Sequence, residues 1–138
     1  MSDVKIKIQN LYKIFGKNPE AVLEIVKNGI SKDELLEKHN HVLGLNNINL
    51  NIYPKSIQVI MGLSGSGKST LIRHINRLIE PTFGSITVDG EDVLKMSELE
   101  LRNFRRSKTA MVFQRFALLP HKTVLQNTVF GLHIQNRN

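Results

Sequence analysis

The chain has 138 residues, 19 Lys and Arg against 12 Asp and Glu, five His and no Cys, for a formal net charge of +7. With 41% apolar and 22% charged residues it reads as one domain with a core, not a disordered tail or a rod, and the absence of Cys excludes disulfides, thiolate metal sites and a Cys nucleophile. The opening MSDVKIKIQN lacks the basic-then-apolar order of a secretory signal and no apolar run could cross a bilayer, so the chain is expected to be cytoplasmic and soluble by itself.

In chain order, Val4, Ile6 and Ile8 alternate with Lys5 and Lys7, the period of a half-buried strand, and residues 10–16 are expected to turn. Over 19–39 the spacing becomes helical, with Ala21, Val22, Ile25 and Val26 on one stripe. After the breaker Asn28-Gly29, a second short helix starts at Ser31 and carries Leu35 and Leu36. Leu45, Ile48, Leu50 and Ile52 return to strand character, Pro54-Lys55 turns, and the apolar run 57–61 predicts a strand covered on both faces. A glycine-rich loop follows, then a helix with Leu71, Ile72, Ile75, Leu78 and Ile79 on one side. Residues 81–84 stop that helix, 85–89 form another strand, and Asp89-Gly90 is a hairpin turn. Ser97 with Glu100 marks a capping box for a helix to about Ser107, 109–113 is a further apolar strand, and 123–132 begins another helix. There is no internal repeat or low-complexity segment.

The segment that carries chemistry is Gly62-Leu63-Ser64-Gly65-Ser66-Gly67-Lys68-Ser69-Thr70, a P-loop pattern placed between an apolar strand and an amphipathic helix. Small glycines let backbone N–H groups converge on a phosphate, and the following helix aims its positive end at the same place. Lys68 is placed to reach the terminal phosphates and Ser69 to offer its hydroxyl to Mg²⁺. A P-loop alone does not choose among kinases, GTPases, motors and transporters.

The chain resembles the ATP-binding cassette family, and within it the subunits that energise uptake of glycine betaine, proline and similar quaternary amines. The resemblance rests on 10–16 (NLYKIFG), 61–70 (MGLSGSGKST), 76–82 (NRLIEPT), 110–114 (AMVFQ), 116–121 (FALLPH) and Thr123-Val124. The helical insertion over 17–41 also looks like that subfamily's. The resemblance implies an α/β P-loop fold of the nucleotide-binding-domain type, truncated to the outer antiparallel sheet plus the start of the core. On that reading 62–70 is the P-loop, 114–121 the Q-loop region and 122–138 the start of the helical subdomain. It places the adenine ring on Phe15, with Tyr12 as the competing ring and a core aromatic as the plainer reading. It makes Gln114 the Q-loop contact to Mg²⁺ and water and puts the phosphates of ATP on Gly62, Ser64, Gly65, Ser66, Gly67, Lys68, Ser69 and Thr70. The implied partners are an integral membrane permease, meeting the chain around 114–121, a substrate-binding protein outside the membrane and a second ATP-binding subunit, with the chain on the inner face of the membrane. No catalytic residue falls within the chain, because the family's Walker B Asp, the Glu after it, the switch His and the signature loop follow the Q-loop. The chain therefore reads as an N-terminal part, expected to bind ATP and hydrolyse none.

Departures from the family pattern are Pro54-Lys55-Ser56 in place of Glu-Gly-Glu, which predicts a strained corner if a positive φ is needed there, and Gln58 in place of an apolar residue. Asp89 is read as structural, being in a hairpin turn. His39, His41, His74, His121 and His133 lack metal-ligand spacing, apart from the His39 and His41 pair on an expected loop, and are read as solvated surface. Arg102, Arg105, Arg106 and Lys108 are read as the exposed side of a helix, with contact to anionic lipid or a partner as the minor alternative. Two other classes stand beside the importer reading. A P-loop NTPase or non-catalytic nucleotide-binding regulator on a soluble partner is one; a nucleic-acid binder, resting on charge alone, is the other, and no nucleic acid is expected.

Overall fold

The computed structural model describes residues 4–112 and 118–135, in two compact units divided after Lys95. The first unit is built on an antiparallel sheet of order β2-β1-β3-β4, from β1 (Ile6–Phe15), β2 (Val42–Ile52), β3 (Phe83–Val88) and β4 (Glu91–Asp92). Ile8 pairs with Leu50 on one side and Ile86 on the other, and Ile8, Leu11, Ile14 and Ile86 are almost wholly buried. The expected turn over 10–16 is instead the second half of β1. Asn10 takes φ +48°, a left-handed conformation that Asn tolerates, and the register slips between Ile8 and Leu11. This bulge inserts one residue into the strand, so the alternation that identifies 4–8 breaks at Asn10 while the pairing continues.

Leu11 and Tyr12 are neighbours and both buried, so β1 is covered on both faces. One cover is the helical segment over 19–39: a 3-10 turn (Pro19–Val22), α1 (Leu23–Lys27) and α2 (Lys32–His39). Val22, Leu23, Val26 and Leu35 pack with Tyr12, Ile14 and Leu43, and the Ser31 hydroxyl caps α2 by accepting from the Glu34 N–H at 3.2 Å. His41, expected at the surface, is buried. Its Nδ1 lies 2.6 Å from the His39 carbonyl and its Nε2 2.8 Å from that of Lys17, which ties together the two ends of the helical segment.

The P-loop helix, α3 (Lys68–Ile75), is shorter than its apolar pattern suggests. Arg77 adopts φ +51°, and its N–H bonds to the His74 carbonyl at 2.9 Å while the Leu78 N–H bonds to that of Arg73 at 2.8 Å. Those two bonds form a Schellman closure with Arg where Gly is usual, so sequence gives no stop signal there. Leu71 and His74 are the buried residues of α3, whereas Ile72 and Leu78 are exposed. His74, also expected at the surface, is buried: its Nδ1–H donates to the Thr70 carbonyl one turn back at 2.6 Å, while its Nε2 is buried without a hydrogen-bond partner among the described residues.

The β3–β4 hairpin turns through Asp89 (φ +52°) and Gly90 (φ +84°), and the Asp89 carboxylate pairs with Lys5 at 2.6 Å, in keeping with a structural role. The strand expected over 57–61 is not formed. It has no ladder partner among the described residues, and Ile57, Val59 and Met61 are 94%, 63% and 86% exposed. The run 109–112 is likewise unpaired, with Val112 98% exposed. An isolated extended segment leaves its N–H and C=O groups to water, and a strand exists only with its neighbour.

The second unit holds α4 (Glu98–Ser107), α5 (Val124–Thr128) and α6 (Phe130–Ile134). Both halves of the capping box at Ser97 and Glu100 are present, and the Ser97 hydroxyl holds the Glu100 carboxyl below its ordinary pKa. Leu101 and Phe104 are the buried residues of α4. An equivalent box, Thr123 with Gln126, opens α5, and the single helix expected from there breaks at Val129. The Arg106 guanidinium donates to the Ile134 carbonyl, and Arg105 and Arg106 are half-buried, so only Arg102 and Lys108 match the fully exposed face expected of that cluster.

Candidate nucleotide-binding site

The loop 62–67 leads into α3, with a turn at Ser64-Gly65 and a backbone bond from the Ser66 N–H to the Leu63 carbonyl at 3.2 Å. Gly65 and Gly67 adopt φ +77° and +93°. At Gly67 two demands coincide, because an added Cβ would also stand 2.5 Å from the Gly44 carbonyl oxygen on β2. The Lys68 side chain folds back over the loop: its ammonium donates to the carbonyls of Gly62 at 2.7 Å and Leu63 at 2.6 Å, with Ser66 Oγ at 3.4 Å. The helix N-cap, Gly67, offers no side-chain acceptor, and the first turn of α3 contains no acidic residue. Among the described residues its leading N–H groups have no side-chain cap, and they lie beside a cation that loop carbonyls hold in place. Such an arrangement fits a polyanion whose oxygens take over from those carbonyls. Ser64, Gly65 and Ser66 form the exposed rim, Ser69 is exposed on the first turn, and Thr70 is half-buried with its carbonyl engaged by His74. The Ser69 hydroxyl suits a Mg²⁺ ion accompanying the anion.

Of the two rings left open by sequence, Tyr12 is 7% exposed, packed in the core and edge-on to Phe83 with centroids 6.3 Å apart, while Phe15 is 40% exposed. Only Phe15 offers surface to a base. It pairs with Val42 across the sheet and lies against Gly44, where an added Cβ would come 2.6 Å from Phe15 Cε2. Gly44 thus touches both halves of the site, the ring and the last loop glycine, and sequence reading missed it because a glycine inside an apolar-polar strand carries no chemistry of its own. Gln114 lies outside the described residues.

A loop that holds a lysine at the uncapped start of a helix, with one accessible ring beside the same strand glycine, defines a P-loop nucleotide-binding cassette. The ABC transporter family profile matches residues 45–138, and the chain belongs to that family. It is 53% identical over 98% of its length to the glycine betaine/proline betaine transport system ATP-binding protein ProV of Escherichia coli (strain K12), covering 34% of that protein. It is 49% identical over 96% of its length to the glycine betaine transport ATP-binding protein OpuAA of Bacillus subtilis (strain 168), covering 32%. The chain spans about a third of the length of these curated relatives. Among solved structures it is similar to the dimeric ATP-binding cassette MJ0796 bound to ADP and Pi, with TM-score 0.74 and 31% identity over 96% of this chain and 49% of that one. The α/β cassette fold and its outer antiparallel sheet, expected from the motifs, are therefore established. No helix among the described residues is long and apolar enough to cross a membrane.

Proposed function

We propose that this chain is the nucleotide-binding part of an ATP-binding, energy-coupling subunit of an importer for glycine betaine or proline-type osmoprotectants. The observation that carries the nucleotide half is the Lys68 ammonium held over the Gly62 and Leu63 carbonyls at the uncapped start of α3. The glycine betaine transport relatives, similar along nearly the whole chain including 17–41, support the solute class. In this reading Gly62, Ser64, Gly65, Ser66, Gly67, Lys68 and Thr70 line the triphosphate seat, Phe15 stacks on adenine, and Ser69 with Gln114 takes Mg²⁺, which would supply charge neutralisation at the phosphates. Residues 114–121 meet a membrane permease on the inner face of the membrane, a substrate-binding protein delivers the solute, and two ATP-binding subunits face each other. A regulator on a soluble partner would share the same loop, and no observation favours it.

The test is uptake of labelled glycine betaine by source cells under osmotic stress, with Lys68→Ala introduced in the genomic copy. Loss of saturable uptake at unchanged protein abundance is expected. Uptake indistinguishable from the parent would refute the reading.

A further inference from the structure

We propose that Lys13 is a positioning residue of the base-binding half of this site, its ammonium anchored on the Glu80 carbonyl and seated over the Phe15 ring so that the ring is presented to a purine. The inference rests on the nucleotide-binding reading above and adds a residue to it.

Lys13 and Phe15 are two residues apart on β1, so their side chains leave the same face of the strand. The Lys13 Nζ lies 5.1 Å from the centroid of the Phe15 ring and donates to the Glu80 carbonyl at 2.8 Å. Glu80 follows the Schellman closure of the P-loop helix, and the same turn is stitched to β1 by two further hydrogen bonds, both at Thr82. The Thr82 N–H donates to the Tyr12 carbonyl at 2.8 Å, and the Ile14 N–H donates to Thr82 Oγ1 at 3.0 Å. The far end of α3 is therefore fastened to the strand that carries the aromatic ring, with Thr82 reaching across from the turn and Lys13 from β1. Its burial costs the ammonium hydration and lowers its pKa, with the Glu80 carboxylate opposing that shift. A lysine kept partly desolvated against an aromatic face needs compensation, and the carbonyl and the ring supply it.

The cation lies over one face of the ring and Gly44 lies against its edge, which biases Phe15 toward this position while 40% of it remains exposed. A cation on one face also draws electron density from the ring, which strengthens stacking of an electron-rich purine on what is left open. Gly44 borders the triphosphate seat as well, but the two Lys13 contacts, to the Phe15 ring and the Glu80 carbonyl, involve no residue of 62–70. Lys13 should therefore matter for the base and not for the phosphates.

The experiment compares binding of ATP and of inorganic tripolyphosphate to the parent chain, Lys13→Met, Lys13→Arg and Lys68→Ala, with the ring-current shift of the adenine H2 and H8 protons read by NMR. Lys13→Met is expected to weaken ATP by about two- to fivefold, the worth of one exposed cation–ring contact. Tripolyphosphate affinity should be unchanged, the adenine shift reduced, and Lys13→Arg restored to near the parent. Equal weakening of both ligands would reduce Lys13 to a structural latch and overturn the proposal, as would unchanged or tighter ATP binding by Lys13→Met. If Lys68→Ala leaves both ligands bound as before, the nucleotide-binding reading itself fails, whatever Lys13 does.

Discussion

At single positions the chain pays for function and for sequence drift in ways that can be measured. Lys55 stands in the turn before 57–61 at φ +59°, where the family pattern has Gly, so the strain anticipated from Pro54-Lys55-Ser56 has a physical location. A non-Gly residue in that conformation costs on the order of 1 kcal/mol. Lys55→Gly should raise the unfolding free energy by about that amount, read as a higher urea midpoint at unchanged m-value, and a lower midpoint would show that the Lys55 side chain is favourable there. His74 gives a pH dependence. Burial pushes its pKa below 6.5, the nearby Lys13 ammonium acts in the same direction, and the Thr70 and Glu80 carbonyls and the Glu80 carboxylate oppose them. Because the folded value is the lower one, the unfolded chain takes up the proton first as pH falls. The neutral ring's stabilising contribution is thus fully present above about pH 6.5 and is lost as pH drops from there toward the folded pKa. Denaturation midpoints at pH 7.5 and pH 5.5 should differ in that sense, and His74→Gln should shrink the difference; an unchanged difference would acquit His74.

Among the elements, those whose signal is local are the ones that sequence found. The capping box at Ser97, the hairpin at Asp89-Gly90, the short helices over 19–39 and the P-loop followed by a helix all depend on residues within a few positions of one another. What sequence missed depends on distant or unusual partners. The bulge at Asn10 hid the second half of β1, an Arg at the closure of α3 hid its end, and the burial of His41 comes from carbonyls at Lys17 and His39. In the site, the P-loop residues were readable from spacing alone, whereas Gly44 and Lys13 were not, because their roles arise only when β1, β2 and the turn after α3 come together. The run 57–61 illustrates the same limit from the other side: its apolar composition is that of a buried strand, yet the described residues supply no partner. Hydrogen exchange should separate the two classes of strand. Amides of Ile8, Ile14 and Ile86 are expected to be protected and those of Val59 and Met61 to exchange near the unprotected rate. Protection at Val59 in the isolated chain would mean that the run is paired after all.

For the whole molecule, the outer sheet and its helical cover form a closed core around Ile8, Leu11, Ile14 and Ile86, while the runs leading to and away from the nucleotide seat expose their apolar side chains. The chain spans about a third of the length of its curated relatives, and among the described residues the apolar runs beside the nucleotide seat have no strand partner. Binding should accordingly be retained in weakened form, and turnover, which needs acidic and water-positioning groups around the phosphates, should be absent from the isolated chain. The decisive measurement is a titration of the isolated chain and its Lys68→Ala variant with ATP and Mg²⁺, followed by both bound nucleotide and released phosphate. Saturable binding that Lys68→Ala removes is expected, with no steady phosphate release from either protein. Binding that survives Lys68→Ala, or a steady ATPase rate that the substitution abolishes, would contradict this expectation.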